Sequence, residues 1–251
     1  MASTSSRSKY AFVASIRTAY YMTGLRELHC SLQRSNPDIP LIVISVDGDL
    51  DEQCISEIER FATYRTVQEI RQPPNIRNPR FGLNWMKLRA WELIEYDALI
   101  MLDVDTAVFR DLSHLFSLPT DFAWAPYQGP DDWHWNSGGV VFLRPCQKLF
   151  DRMLEIIHTE HLAYVQSHAE QSFLQYFFQD TAMHLPMAYN LNFMFLQNGT
   201  DPAGEQPYVV HFANRDYKPF NATPAVEEWP YLCWQPKQHE ARSRLLVGLG
   251  T

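Results

Sequence analysis

The stretch "ALIMLDVDTAVFRDLSHLF" (98–116) decides the fold. Its first five residues, Ala98 to Leu102, form an uninterrupted apolar run. A run of that length reads as a strand buried on both faces, and such strands belong to parallel sheets covered by helices. The run ends in two carboxylates one residue apart, Asp103 and Asp105. Like charges that close repel one another, and water screens them poorly at the end of a buried strand. A turn or a helix cap accounts for acids in many such places. A cation held between the two is the functional alternative.

Upstream of this stretch, strand-like and helix-like pieces alternate. Residues 10–15 (YAFVAS) read as a strand, and residues 23–34 as a helix with Leu25, Leu28 and Leu32 at helical spacing. PLIVISV (40–46) reads as a buried strand. Residues 51–62 read as a helix with acids near its start, and 63–70 as a third strand. The Pro-rich RQPPNIRNPRFG (71–82) reads as a loop, and 84–95 as a helix feeding the apolar run. Downstream, 138–143 and 208–212 read as strands; 147–159, 170–178 and about 240–247 read as helices. The expected class is α/β, with an open, mostly parallel twisted sheet flanked by helices and right-handed crossovers. Ligands of such sheets bind beyond the carboxyl ends of the strands, where the acidic pair falls.

Composition narrows the function classes. The 251 residues contain 46% hydrophobic and 20% charged side chains, ordinary for a globular protein. Against 29 Asp plus Glu stand 21 Lys plus Arg, giving a net charge of -8. With no basic run, a nucleic-acid partner is not expected. No apolar stretch is long enough for a membrane span, and a cytoplasmic location is expected. The four cysteines, Cys30, Cys54, Cys146 and Cys233, are scattered and read as reduced thiols. The sequons at Asn198 and Asn221 read as chance matches.

Seven segments carry a resemblance. They are "FVASIRTAYYMTGLRELHCSL", "MKLRAWEL", "IMLDVDTAVFRDLSHLF", "NSGGVVFLRP", "AEQSFL", "LPMAYN" and "VVHFANRDYKPF". Their order and spacing resemble the glycogenin-like retaining glycosyltransferases of glycosyltransferase family 8, over about residues 12–220. The resemblance implies a single GT-A domain across 1–251. Within it, about 10–105 would be a Rossmann-like nucleotide-binding half, 106–220 a donor-sugar and acceptor half, and 221–251 a C-terminal wrap. It implies Mn²⁺ (or Mg²⁺) as cofactor and a donor such as UDP-glucose or UDP-galactose. The acceptor stays open among glycan, lipid, protein and small metabolite, and a homodimer is allowed for.

The resemblance also assigns roles. Asp103 and Asp105 match the family's D-x-D, with His211 as third metal ligand. Ser15, Arg17, Thr18 and Tyr21 match uridine-contacting positions, and Val104 would offer its backbone near the ribose. Lys87 matches a lysine reaching the donor; Asn136 and Ser137 match residues binding the sugar hydroxyls; Asn214 falls in the donor-site segment that includes His211. Lys218 would neutralise the diphosphate leaving group, and Glu170 with Gln171 would act near the anomeric carbon. The two glycines, Gly138 and Gly139, permit close backbone approach or a tight turn. Trp133 and Trp135 suit a sugar platform or core packing.

Departures from the family pattern set the alternatives. "SHAEQ" places Glu170 where the family commonly has Asp, and the spacing from His211 to Lys218 is one residue longer than in glycogenin. "YNLNFMFLQNGT" offers no tyrosine beyond Tyr189, so self-glucosylation is not expected. A UDP-sugar-binding protein impaired in transfer is one alternative. A haloacid-dehalogenase-like phosphatase using the DVDT segment, with Asp131 and Asp132 as a later acidic pair, is another.

Overall fold

The computed structural model describes residues 9–71, 79–128, 134–158, 169–197, 206–213 and 218, with backbone alone at 79–82, 127, 128, 134–136 and 197. The chain starts with β1 (Tyr10–Ser15), a short 3-10 turn at Ala19–Tyr21, and α1 (Met22–Ser35). β2 (Leu41–Val46), α2 (Glu52–Ile58) and β3 (Thr63–Val67) follow. Then come a 3-10 segment at Pro79–Glu92, β4 (Ala98–Leu102), β5 (Thr106–Val108), and a 3-10 turn at Ser113–Ser117. Next are β6 (Phe122–Gln128), β7 (His134–Leu143), α3 (Gln147–Ile157) and α4 (Glu170–Phe177). The last described elements are β8 (Met183–His184), a turn at Met187–Tyr189, β9 (Leu191–Asn192), α5 (Phe193–Gln197) and β10 (Val209–His211).

Seven strands form one sheet in the order β3-β2-β1-β4-β7-β6-β8. β3, β2, β1 and β4 run parallel, as expected, while β7 runs antiparallel to both β4 and β6. β4 is apolar throughout, and β1 and β2 nearly so, because both faces are covered. Ala11, Val13, Leu99 and Met101 pack with Trp85, Trp91, Phe150 and Phe173 on one side. Phe12, Ala14, Ile100 and Leu102 pack with Leu25, Leu28, Leu32 and Phe116 on the other. Burying a side chain of this size stabilises the fold by about 1.5–3 kcal/mol.

Local corrections have physical causes. The segment before β4 is 3-10 rather than α. Trp85, Leu88 and Trp91, all fully buried, are spaced by three, so a three-residue period stacks them on one face. α2 stops at Ile58 because the chain turns straight into β3 at Thr63. Asp51 caps it, its carboxylate accepting from Cys54 N–H at 2.8 Å. β7 begins at His134, four residues before the expected strand. Cys30, Cys54 and Cys146 are free thiols, the first two half-buried and Cys146 exposed. The final helix expected around 240–247, the sequons, Cys233, Trp133, Asp131, Asp132 and Asn214 lie outside the described residues. No helix among the described residues is long and apolar enough to cross a membrane.

A second sheet of three short strands, β5-β10-β9, positions the site. The chain leaves the main sheet at Leu102, turns through Asp103, Val104 and Asp105, and enters this small sheet at Thr106. Thr106 pairs with His211, and His211 with Asn192. The acidic turn is thus tied directly to a strand a hundred residues later.

Candidate active site

The acidic turn is held from both ends. Asp103 N–H donates to the Gly139 carbonyl at 3.0 Å, and the Asp103 carbonyl accepts from Thr106 N–H (3.1 Å) and Oγ1–H (2.7 Å). Phe212 N–H donates to the Asp105 carbonyl at 2.9 Å. These backbone bonds bring Asp103, Asp105 and His211 together, with one ligating atom of each within 4.8 Å of the others. His211 Nε2 lies 3.2 Å from Asp105 Oδ1 and 3.9 Å from Asp103 Oδ2. Two carboxylates and an imidazole suit a hard or borderline divalent cation such as Mn²⁺, and the residues fit that group.

Two lysines face the same carboxylates. Lys87 Nζ is 2.6 Å from Asp103 Oδ1 and 3.2 Å from Glu170 Oε1. Lys218 pairs with Asp105. Burial alone would raise the Asp105 pKa, but the Lys218 charge and then His211 outweigh it and hold the carboxyl far below the ordinary range. Burial likewise works against the Lys87 charge, yet Asp103 and then Glu170 reverse it and hold the ammonium firmly protonated.

Glu170 behaves differently from its lysine partner. Its pKa is raised, by burial first and by the Asp103 charge, with Lys87 offsetting only part. The distances explain the asymmetry: Lys87 stands closer to Asp103, so Glu170 receives the weaker half of a shared cation. Glu170 Oε2 is buried with no hydrogen-bond partner among the described residues. Glu170 opens α4 directly after Ala169, whose φ of 45° lies in the left-handed region.

The two glycines lie inside β7, so close approach rather than a turn is their use. A Cβ on Gly138 would stand 3.2 Å from Gln171 Cγ, 3.3 Å from Glu170 Oε1 and 3.5 Å from Lys87 Nζ. A Cβ on Gly139 would stand 2.5 Å from His211 Nδ1, so the imidazole would have to shift. Ser137 is buried, and its Oγ accepts from Gly139 N–H at 3.1 Å.

The remaining expected residues divide. Val13 pairs with Met101, so the chain after β1 and the acidic turn after β4 leave the sheet side by side. Ser15 and Tyr21 are half-buried there, Thr18 is exposed, and Val104 is buried in the turn. Arg17 stands in this loop with its guanidinium engaged by Asp49, at two nitrogens, and by Glu69 at 3.0 Å. Those two carboxylates had no place in the sequence reading. Asn136 lies within β7, its backbone paired with Pro126, and its side chain is outside the described atoms. The structure also brings in a residue to which sequence reasoning gave no role. Asn190, from the "YN" pair, meets His211 Nδ1 at 2.9 Å. Its signal in the sequence is its place at the end of LPMAYN, one of the segments that carry the resemblance.

Comparison with known proteins gives the same answer. The model of a family described as "Glycosyl transferase family 8" matches residues 18–223, most of the chain. Galactinol synthase 2 of Solanum lycopersicum is 26% identical over 256 residues, covering 88% of this chain and 74% of that protein. UDP-glucuronate:xylan alpha-glucuronosyltransferase 1 of Arabidopsis thaliana is 29% identical over 150 residues, 59% of this chain and 22% of that one. Among solved structures, the glycosyltransferase GlyE of Streptococcus pneumoniae TIGR4 superposes with a TM-score of 0.64 at 18% identity, over 86% of this chain and 57% of GlyE. The galactosyltransferase LgtC, solved with donor and acceptor sugar analogues, gives 0.58 at 14% identity, over 97% of this chain and 96% of LgtC. At those identities the superpositions speak for the fold, and the family match speaks for the chemistry. The phosphatase reading of the DVDT segment gives way to this assignment. The chain belongs to glycosyl transferase family 8 and is a glycosyltransferase of the GT-A fold.

Proposed function

We propose that the protein transfers a hexosyl group from a UDP-sugar to an acceptor hydroxyl, with anomeric configuration retained and a divalent cation held by Asp103, Asp105 and His211. The observation that carries the reading is the convergence of those three side chains beside Lys87, Lys218 and Glu170 at the carboxyl edge of β4. Names of relatives support the donor class. One specifies a UDP-glucuronate donor and an alpha-glucuronosyl transfer, and LgtC is a galactosyltransferase. UDP-galactose and UDP-glucose, the donors the resemblance implies, are tested first, with UDP-glucuronate beside them.

When bound, Mn²⁺ or Mg²⁺ supplies positive charge to the departing diphosphate, as a Lewis acid. Lys218 brings an ammonium to the same place and can turn from Asp105 to the phosphate oxygens. Such a contact contributes about 3 kcal/mol to barrier lowering where charge develops in a water-poor site. Lys87 is shared between Asp103 and Glu170 and holds the two carboxylates side by side at the site's floor. Glu170 and Gln171, beside the bare backbone of Gly138, offer polar atoms to the donor sugar, with Asn136 and Ser137 of the neighbouring strand. Ser15, Thr18, Tyr21 and the Val104 backbone are assigned to the uridine and ribose. Arg17 braces that loop through Asp49 and Glu69, and Asn214 joins the donor site through the segment after His211.

Self-glucosylation at Tyr189 is disfavoured by its surroundings. The side chain is nearly buried, its hydroxyl is hydrogen-bonded to His114 Nε2 at 2.6 Å, and its ring is stacked on Tyr208.

The test is a thermal-shift panel of UDP-sugars with and without Mn²⁺, because a specific ligand raises stability by mass action. UDP-galactose or UDP-glucose should raise the melting temperature only with metal, and Asp105→Ala should remove the effect. Equal shifts in chelator would refute the metal-dependent reading.

A further inference from the structure

Asn190 is fully buried, in a place where an amide must account for both of its polar atoms. Its Nδ2–H donates a long hydrogen bond, 3.4 Å, to the Pro126 carbonyl. A carbonyl can only accept, so the reversed amide would set oxygen against oxygen, and the side chain's orientation is fixed. Its Oδ1 therefore faces His211 Nδ1 at 2.9 Å. Oδ1 also can only accept, so the proton of that bond sits on His211 Nδ1. The other ring nitrogen, Nε2, is then the atom turned toward Asp105 and Asp103. With Nδ1 carrying the proton, Nε2 has a lone pair to give to a cation placed between them.

The surroundings hold this pair in register. Gly139 leaves room for both partners, since a Cβ there would fall 2.5 Å from His211 Nδ1 and 2.9 Å from Asn190 Oδ1. Asn190 N–H donates to the Met187 carbonyl at 2.9 Å, and Tyr208 N–H to the Ala188 carbonyl at 2.8 Å. The next two residues, Leu191 and Asn192, pair with Val210 and His211. Backbone pairing and side-chain bond thus fix the same distance between the two segments.

We infer that Asn190 is a positioning residue: it locks His211 in the Nδ1–H tautomer and aims Nε2 at the acidic pair, with Gly139 as the cradle that admits both. The inference rests on the proposed role of Asp103, Asp105 and His211 as a cation site. Hydrogen-bonded partners of metal-binding histidines commonly set their tautomer and tune affinity.

Three full-length variants separate the roles. Asn190→Leu keeps the volume and loses the acceptor. Asn190→Asp keeps an acceptor and loses the Nδ2 donor. Asn190→Ala, also without an acceptor, replaces Asn190→Leu if that variant does not fold. Mn²⁺ is titrated against each, with free ion read by electron paramagnetic resonance. Protein carrying ¹⁵N-histidine reports by pulsed resonance whether a ring nitrogen is bonded to the ion. Wild type and Asn190→Asp should bind with histidine-nitrogen coupling. The acceptor-less variant should bind roughly 10- to 100-fold more weakly and lose the coupling. Wild-type affinity and coupling in that variant would overturn the inference, as would equal loss in Asn190→Asp. Absence of Mn²⁺ binding in the wild type would overturn the cation-site reading itself, and this inference with it.

Discussion

Replacing Lys87 with methionine removes a cation that stands between two carboxylates in the floor of the site. Methionine keeps most of the lysine stem's length and apolar contacts, so the change is mainly one of charge. Breaking a buried ion pair from one side costs about 3–5 kcal/mol, because the partner's charge is left uncompensated. Here Glu170 is completely buried whereas the Asp103 side chain is 18% exposed, so most of that penalty falls on Glu170. The pKa of Glu170 is already raised by burial, and without Lys87 it climbs further. A carboxyl whose pKa is higher folded than unfolded binds more protons in the folded state between those two values. Stability therefore falls as pH rises through that window, by up to about 1.4 kcal/mol per pH unit. Urea denaturation in chelator should show Lys87→Met less stable than wild type by about 3–5 kcal/mol near pH 8. Near pH 5 the deficit should shrink by at least about 1.4 kcal/mol. Glu170→Gln in the same background should flatten the pH dependence. A deficit unchanged between the two pH values, or still pH-dependent with Gln at 170, would refute the reasoning.

Other perturbations follow from the same geometry. Gly139→Ala forces a methyl against His211 and should cost about 1–3 kcal/mol in denaturation experiments while weakening Mn²⁺ binding measured by calorimetry. Ala169→Gly relieves a positive φ in a non-glycine residue and should raise stability by about 1 kcal/mol, seen as a higher urea midpoint with an unchanged slope. Asp105→Asn removes a charge from the proposed cation site and a Lys218 partner, and should lower the rate of UDP release from the donor by roughly 10²–10³-fold. A rate within threefold of wild type would count against its role.

Much of the fold was legible because the burial pattern is written into consecutive residues. Residues 98–102 are apolar at every position and 41–46 at all but Ser45, as strands covered on both faces require. α1 shows helical spacing of Leu25, Leu28 and Leu32. In α3 the spacing of Leu149, Met153, Ile156 and Ile157 marks the apolar face, with Phe150, Met153 and Ile157 fully buried and Leu149 and Ile156 packed at its edge. The antiparallel part was hidden: β6 carries Pro126 and a register shift, and the start of β7 mixes His, Trp and Asn without alternation. β5, β9 and β10 have three residues or fewer, and their pairing depends on chain segments far apart. Within the site, Asp103 and Asp105 stood out by adjacency, whereas His211, more than a hundred residues away, was reached only through the family resemblance. The sharing of Lys87 between Asp103 and Glu170, the engagement of Arg17 by Asp49 and Glu69, and the Asn190 bond to His211 arise from tertiary approach. No local spacing encodes them.

Asp103, Asp105 and His211 are proposed to hold together the cation that carries the nucleotide diphosphate. The most direct test of this proposal is anomalous diffraction at the manganese edge from crystals grown with Mn²⁺ and UDP. One strong peak bonded to all three side chains and to phosphate oxygens of UDP is expected. UDP bound with no such peak, or manganese lodged elsewhere while those three side chains stand apart, would contradict it.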